Sequence, residues 1–542
     1  MRGPRTFLVL AVLFSLSISP AAGASARGDA AIVEVDILSR SDLDRLNALG
    51  SDIMSVNDGV ARIAATPDEV DALWANGFGP RVVFERISDS VASLGIEDRG
   101  EYHSHSEITT DLAAWASAYP SITELISIGK SVQGRDIWAL KITDNPGVEE
   151  AEPEIQWIGC HHGNETISVE VPYYMAEYLL ENYGTDPQVT WLVNEREIWI
   201  IPMLNPDGHT AGSRYNHNWV DLNRNYACPC GCNAGTAFSE PETRALRDWN
   251  EDMNPVTSLA FHSGSVCVNY LWDYTYAPTP DEPMIITLSD GYASYNGYWV
   301  TNGADWYVAH GTCQDWCYNV RGEIDWTIEL SYDFDPPESL IDDICDDNIP
   351  AMLYLARHSG HGIRGVVTDA QTGEPVAATI SIPEIGKDVY TDPDVGDYHR
   401  MVESGTYTVV MSADGYPAQT VYNVSASLDT FVVVDFSVLP TTGVPSGGAS
   451  NGLALANTPN PFNPRTTFRL DLPAAGPVDL LIYDVKGALV RTLLSGERRP
   501  AGRSSVAWDG RDDRGASVAG GVYFARAATA GGSVSRKVAL LK

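Results

Sequence analysis

A chain of 542 residues with 72 acidic and 35 basic side chains carries a formal net charge of −37. That length exceeds one ordinary domain and implies three or four compact units. A surface this acidic repels phosphate backbones and anionic lipid, which excludes nucleic acid as a partner and favours cationic ligands.

The first residues, MRGPRTFLVLAVLFSLSISPAAGASA, place Arg2 and Arg5 before an apolar stretch and then small residues in A-x-A patterns. This is the pattern of a secretory signal peptide over 1–24, and no other segment approaches a membrane span. A soluble, secreted or surface-held mature protein is the expectation. Residues 31–88 read as strand, helix, strand, helix, strand, with Thr66, Pro67 and Glu69 marking a helix start; a small α/β prodomain or accessory domain is expected over 25–95. After a polar joint, apolar strands alternate with amphipathic helices from 99 to 361. EIQWIG, EIWIIPML, TSLAFH and DWTIEL are the strand candidates, and 107–118, 166–183 and 240–252 the helices. Such interleaving implies an α/β sheet covered on both faces. Ser239 with Glu242 predicts a capping box at the third helix. Short alternating strands over 363–438 predict a β-sandwich, and a second all-β domain follows the Gly- and Ser-rich linker, over 453–542.

All eight cysteines fall between Cys160 and Cys345, which suits local disulfides in an exported protein. In ACPCGCNAG, cysteines one residue apart lack the usual C-x-x-C zinc spacing, so disulfides are expected there too, with their connectivity open.

In CHHGNE, His162 and Glu165 stand three apart where an apolar strand gives way to a helix. Alone this is weak. A catalytic zinc takes three protein ligands and keeps one position open, and His262, ending the strand TSLAF ahead of Ser263 and Gly264, is the candidate third. His103 and His105, before a helix and without a carboxylate at a comparable junction, read as surface or capping residues. So do His358 and His361.

GCHHGNE, NPDG, DLNRNY, FSEPETRAL, FHSG and TIELS, in this order over about 100–360, resemble the metallocarboxypeptidase family, and HGNE resembles its regulatory, carboxypeptidase D- and E-like branch. The resemblance implies a mixed central sheet flanked by helices and one zinc ion held by His162, Glu165 and His262, with His161 packed behind them. It implies Glu329 as general base, Arg214 polarising the scissile carbonyl, and Asn223 with Arg224 gripping the substrate's terminal carboxylate. Tyr307 would cap that carboxylate, and Asp273 and Gln314 would line a pocket for a C-terminal Lys or Arg. Peptide or protein C-termini are then the partners. Segment 363–438 resembles the transthyretin-like domain of that branch. The last segment resembles the flagellar-hook-capping-type immunoglobulin domain and bacterial sorting tails, implying attachment to a cell surface or secretion machinery. Two rival readings stay open: a related amidohydrolase acting on cell-wall peptides, which would need a cationic pocket, and an inactive surface-binding relic.

Overall fold

A computed structural model describes residues 30–85, 102–440 apart from 234, and 453–540 apart from positions 459, 461, 463–464, 485–487 and 530–531. The signal-like segment, the joint at 86–101 and the linker at 441–452 lie outside the described residues. The chain divides into two compact units, 1–440 and 441–542.

The N-terminal domain is an antiparallel sheet of β1 (Ala31–Asp36), β2 (Asp52–Asn57), β3 (Val60–Ala65) and β4 (Arg81–Phe84) in the order β2-β3-β1-β4, with helices Arg40–Ala48 and Pro67–Ala75. The second helix starts as expected: the Thr66 backbone N–H donates to the Glu69 carboxylate at 2.7 Å. The sequence pattern missed β2. Its signal is Asp58-Gly59, both left-handed at φ 49° and 75°, the dipeptide of a tight hairpin.

The next domain is built on eight strands: β5 (Thr123–Lys130), β6 (Asp136–Ile142), β7 (Glu154–Ile158), β8 (Glu197–Ile201), β9 (Thr257–His262), β10 (Ser265–Tyr270), β11 (Trp299–Asn302) and β12 (Ile324–Ser331). Their order is β11-β10-β12-β9-β7-β8-β6-β5, and the sheet is mixed. The central run β12-β9-β7-β8 is parallel, and its strands are buried on both faces, as their unbroken apolar runs require. One face packs on helices 105–118, 167–182, 187–195, 282–296 and 341–358. The other packs on 241–253 and 313–321. Parallel neighbours that end at one level leave a crevice beyond their C-terminal ends, where an open α/β sheet places its ligands.

Four local expectations need correction. Ser239 and Glu242 form no capping box: the N-cap is Glu240, with Pro241 as the first helical residue. Ser239 is bonded instead to Asn225 and Glu240, and Glu242 accepts from the Val132 N–H. His103 does have a carboxylate partner, Glu170, at 2.6 Å, because the helix over 167–182 brings that acid across the joint. His361 is largely buried, bonded to the Leu428 carbonyl, not on the surface. Of the eight cysteines Cys230 and Cys232 are disulfide-bonded and the other six are buried outside any disulfide; Cys160, Cys313, Cys317 and Cys345 pack in the apolar core as small side chains.

Residues 362–438 form a sandwich of two sheets around Ile363, Val367, Ile380, Met411 and Phe436. It is braced to the preceding domain by a buried ion pair, Arg400 to Asp281 at 2.8 and 3.0 Å. Residues 453–540 form a separate pair of sheets around Phe468, Leu480, Ile482 and Trp508.

Beside β7 and β8, burial and the charges of Asp144, Glu150, Glu197 and Glu195 push the Glu152 carboxyl from 4.5 up to about 8. The folded chain therefore keeps a proton there that the unfolded chain has lost, and stability falls as pH rises across that window. Glu152→Gln is expected to raise Tm at pH ~8.5 and leave it unchanged at pH ~4, with a chelator present. Equal effects at both pH values in thermal melts would contradict this.

Candidate metal centre and substrate cleft

His162 and Glu165 lie in the short loop between β7 and the helix over 167–182, and His262 is the last residue of β9. Because β9 pairs directly with β7, side chains a hundred residues apart in sequence meet. Glu165 Oε1 lies 2.7 Å from His162 Nδ1, Glu165 Oε2 lies 2.9 Å from His262 Nδ1, and the two Nδ1 atoms are 3.1 Å apart. All three residues are buried. Burial alone would raise the Glu165 carboxyl, but the facing imidazoles of His162 and His262 outweigh it and hold it far below the ordinary carboxylate range. Two imidazoles and an ionised carboxylate converging on one point, with an approach from the cleft, suit zinc with an open position.

The groups behind this centre fix its orientation. Asp221 accepts from His162 Nε2 at 3.0 Å and from Arg214 Nε at 3.0 Å. A carboxylate behind a ligating histidine sets its tautomer. Arg214 is almost wholly buried, and its Nη1 lies 3.2 Å from Glu165 Oε1. His161 is fully buried, bonded to the Tyr226 hydroxyl at 3.0 Å and stacked on the His262 ring. Asp221, in DLNRNY, is not singled out by the sequence, because only the fold shows that it meets both His162 and Arg214.

Close backbone packing explains two of the motif glycines. A Cβ on Gly163 would overlap the Gly208 carbonyl carbon and the His209 nitrogen, and one on Gly208 would overlap Asn205 and the Tyr215 carbonyl. HHGNE and NPDG therefore touch main chain to main chain, which positions the ligand loop.

Glu329 pairs with His262 across the parallel β9–β12 ladder. Its carboxylate faces the cleft beside the ligands, and Oε2 has no hydrogen-bond partner. Burial first, then the charge of Glu165, raise its pKa well above the ordinary value, against the pull of Arg214. A buried carboxyl with an unused oxygen next to three converging donors is the arrangement a metal and its water would complete.

The cleft holds about 380 Å³ and is lined by Arg214, Asn223, Arg224, Asp273 and Tyr307 as well as the ligands and Glu329. Arg224 Nη2 is 3.5 Å from the Tyr307 hydroxyl, so these two expected carboxylate contacts adjoin. Burial pushes the Tyr307 hydroxyl up to about 12 despite Arg224, so it stays a donor. Asn223 is held by the Cys313 N–H, with its amide nitrogen toward His262. Asp273 is buried, accepts from Asn269 at 3.2 Å, and occupies space that only a glycine at 303 leaves. Gln314 is not among the residues lining the cleft. Its Oε1 accepts from the Thr327 N–H and hydroxyl.

One feature of the cleft comes from the N-terminal domain. β2 crosses its mouth: the Ile53 carbonyl lies 3.4 Å from Arg224 Nη2, Met54 lines the cavity, and the Val56 carbonyl accepts from the Trp306 indole at 2.8 Å. Asp52 accepts from the Tyr215 hydroxyl at 2.9 Å.

The α/β fold and this buried cluster of donors suit a metal-dependent hydrolase. Residues 108–351 match the zinc carboxypeptidase family, and 461–533 match the FlgD Ig-like domain. The chain is 31% identical over 377 residues to the human carboxypeptidase N catalytic chain, covering 59% of this chain and 82% of that protein. It is 33% identical over 408 residues to human carboxypeptidase D, covering 69% of this chain and 29% of that protein. It thus spans less than a third of the length of its carboxypeptidase D relatives. A carboxypeptidase A structure from Helicoverpa armigera superposes with a TM-score of 0.51 at 20% identity, over 61% of this chain and 97% of that one, and so shares the fold. The chain belongs to the zinc carboxypeptidase family.

Gly163→Ala is expected to lower Tm by several degrees and to halve zinc content or worse, because the ligand loop must move off Gly208. Unchanged melting and metal content would show that the loop relaxes without cost.

Proposed function

We propose that this chain is an exported zinc carboxypeptidase that removes C-terminal Lys or Arg, and that its N-terminal domain holds it latent. The observation that carries the reading is the convergence of His162, Glu165 and His262 beside the unpartnered Glu329 oxygen. His162, Glu165 and His262 would hold zinc, which when bound polarises the scissile carbonyl and acidifies water. Glu329 faces that position and accepts the proton from attacking water, then returns it to the leaving amine. Its place beside the three ligands, with one oxygen unpartnered, suits a group that must both take and give a proton there. Arg214, fixed by Asp221, presents permanent charge to the developing oxyanion. Arg224 and Tyr307 grip the terminal carboxylate, which restricts cleavage to chain ends, with Asn223 beside them.

Asp273 supports a basic preference. A carboxylate at the rear of a partly dry pocket pairs favourably with a cationic side chain and poorly with an acidic one. In this structure the Ile53 carbonyl takes a place on Arg224 that a substrate carboxylate oxygen would need, and this contact supports the latent state. The signal-like N-terminus supports export, the FlgD-like segment supports surface attachment, and among the described residues no helix is long and apolar enough to cross a membrane.

Hydrolysis of blocked dipeptides ending in Arg, Lys, Phe or Glu, with and without chelator, tests the activity. Chelatable turnover with Arg and Lys preferred is expected. Turnover of wall peptides or acidic C-termini alone would favour the amidohydrolase reading, and no turnover with zinc bound would favour an inactive relic. Glu329→Gln is expected to lower kcat by about 10²–10⁴ with zinc content intact, and Asp273→Asn to cut the Arg-over-Phe ratio at least about tenfold. A chain lacking residues 30–85 is expected to show a markedly lower KM; an unchanged KM would contradict latency.

A further inference from the structure

Among the described residues, a further group of ligating side chains joins segments distant in sequence with a complete donor set for a transition metal. Cys228, Cys230 and Cys232 come from the loop after Arg224, and His310 comes from the loop after Tyr307. Their donor atoms all lie within 4.8 Å of one another. Cys228 Sγ is 3.0 Å from Cys230 Sγ and 2.8 Å from Cys232 Sγ, while His310 Nδ1 is 3.3 Å from Cys232 Sγ and 3.9 Å from Cys228 Sγ.

We propose that Cys228, Cys230, Cys232 and His310 form a second, structural zinc site that staples together the two loops carrying Arg224 and Tyr307. Three thiolates and an imidazole are a complete tetrahedral donor set. The structure draws Cys230 and Cys232 as a disulfide. That pairing satisfies two sulfurs only. It leaves the Cys228 thiol against both of them and does not account for His310, whose loop is otherwise remote in sequence. Zinc at ~2.3 Å from each sulfur would set the sulfurs ~3.7 Å apart, a small outward shift for Cys228 from its two neighbours, and a larger one for Cys230 and Cys232, which must be in the reduced form to ligate. The spacing of one residue between cysteines, which in sequence argues against zinc, is accommodated because the loop doubles back. Gly231 is left-handed at φ 68° and its N–H donates to the Cys228 carbonyl at 2.9 Å. Asn233 Oδ1 accepts from the Cys228 N–H at 2.9 Å, and its amide donates to the Tyr226 carbonyl.

His310 is half-buried, with Nδ1 beside the Cys232 and Cys228 sulfurs. In the reduced chain, with Cys230 and Cys232 as thiols, metal binding would release the protons of the three thiols to solvent. The two loops already touch through the Tyr226 N–H to the Gly311 carbonyl at 2.9 Å. A metal across them would fix Tyr307, three residues before His310, relative to Arg224, four before Cys228. Cysteine ligands here would serve as positioning residues for carboxylate recognition.

The test is metal analysis and cobalt substitution of the full chain purified without chelator. The expected result is two metal equivalents per chain and, with cobalt, a near-ultraviolet thiolate-to-metal absorption that a His₂Glu centre cannot give. Cys228→Ser is expected to lose that band and one equivalent and to raise KM severalfold with a smaller change in kcat, and His310→Cys to restore the metal where His310→Ala loses it. A wild-type chain with no thiolate band, and two daltons lighter than its reduced form because Cys230 and Cys232 are joined, would overturn the proposal. Should Cys228→Ser fail to fold, the wild-type spectrum decides alone. One equivalent that carries the thiolate band would uphold this site and count against the catalytic one.

Discussion

The organisation of the catalytic domain depends on one ion-pair knot, Glu165 between the imidazoles of His162 and His262 with Arg214 and Asp221 behind. An ionised carboxylate in a buried site is costly unless paired and hydrogen-bonded. Here the pairing partners arrive on separate strands and loops, so the knot closes only if β7, β9 and β12 lie side by side and end at one level. That constraint explains why the neighbouring loops pack glycine against backbone at Gly163 and Gly208. It also explains why Glu329, on the strand beside β9, arrives next to the ligands without any sequence proximity to them.

The electrostatics of the cleft run opposite to those of the whole chain. A net charge of −37 surrounds a recess in which Arg214 and Arg224 are the dominant fixed cations. On the function proposed above, the long-range field would favour approach of basic peptides, and the local arginines would select the carboxylate at their end. Asp273, in the same recess, would then place negative charge where a side chain rather than a terminus lies. The N-terminal domain meets the same surface with main-chain carbonyls and Asp52, groups that satisfy cations without supplying a cleavable bond.

Much of this was legible in the sequence. The buried strands announce themselves as apolar runs, and the resemblance of the ordered motifs around His162, Glu165, His262 and Glu329 to the metallocarboxypeptidase family carries the catalytic reading. The less legible parts depend on contacts between segments far apart. β2 was hidden because SDIMSVN is a mixed, half-polar run whose only clear signal is the Asp58-Gly59 turn. Gln314 read as a pocket residue, but the helix over 313–321 turns it toward Thr327. The Ser239 box failed because Pro241 fixes the helix start one residue later and Asn225 competes for the serine. The pairing of Cys230 with Cys232 fits the disulfide expected in ACPCGCNAG, whereas the approach of His310, 78 residues beyond Cys232, is made only by the fold.

The central claim is that one divalent ion sits between His162, Glu165 and His262, facing Glu329. Anomalous diffraction from crystals of the full chain, collected above and below the zinc absorption edge, tests it most directly. The account predicts an edge-dependent peak bonded to both histidine Nδ1 atoms and the Glu165 carboxylate. A zinc-containing crystal with no peak at that position, or with His262 turned away from it, would contradict the account.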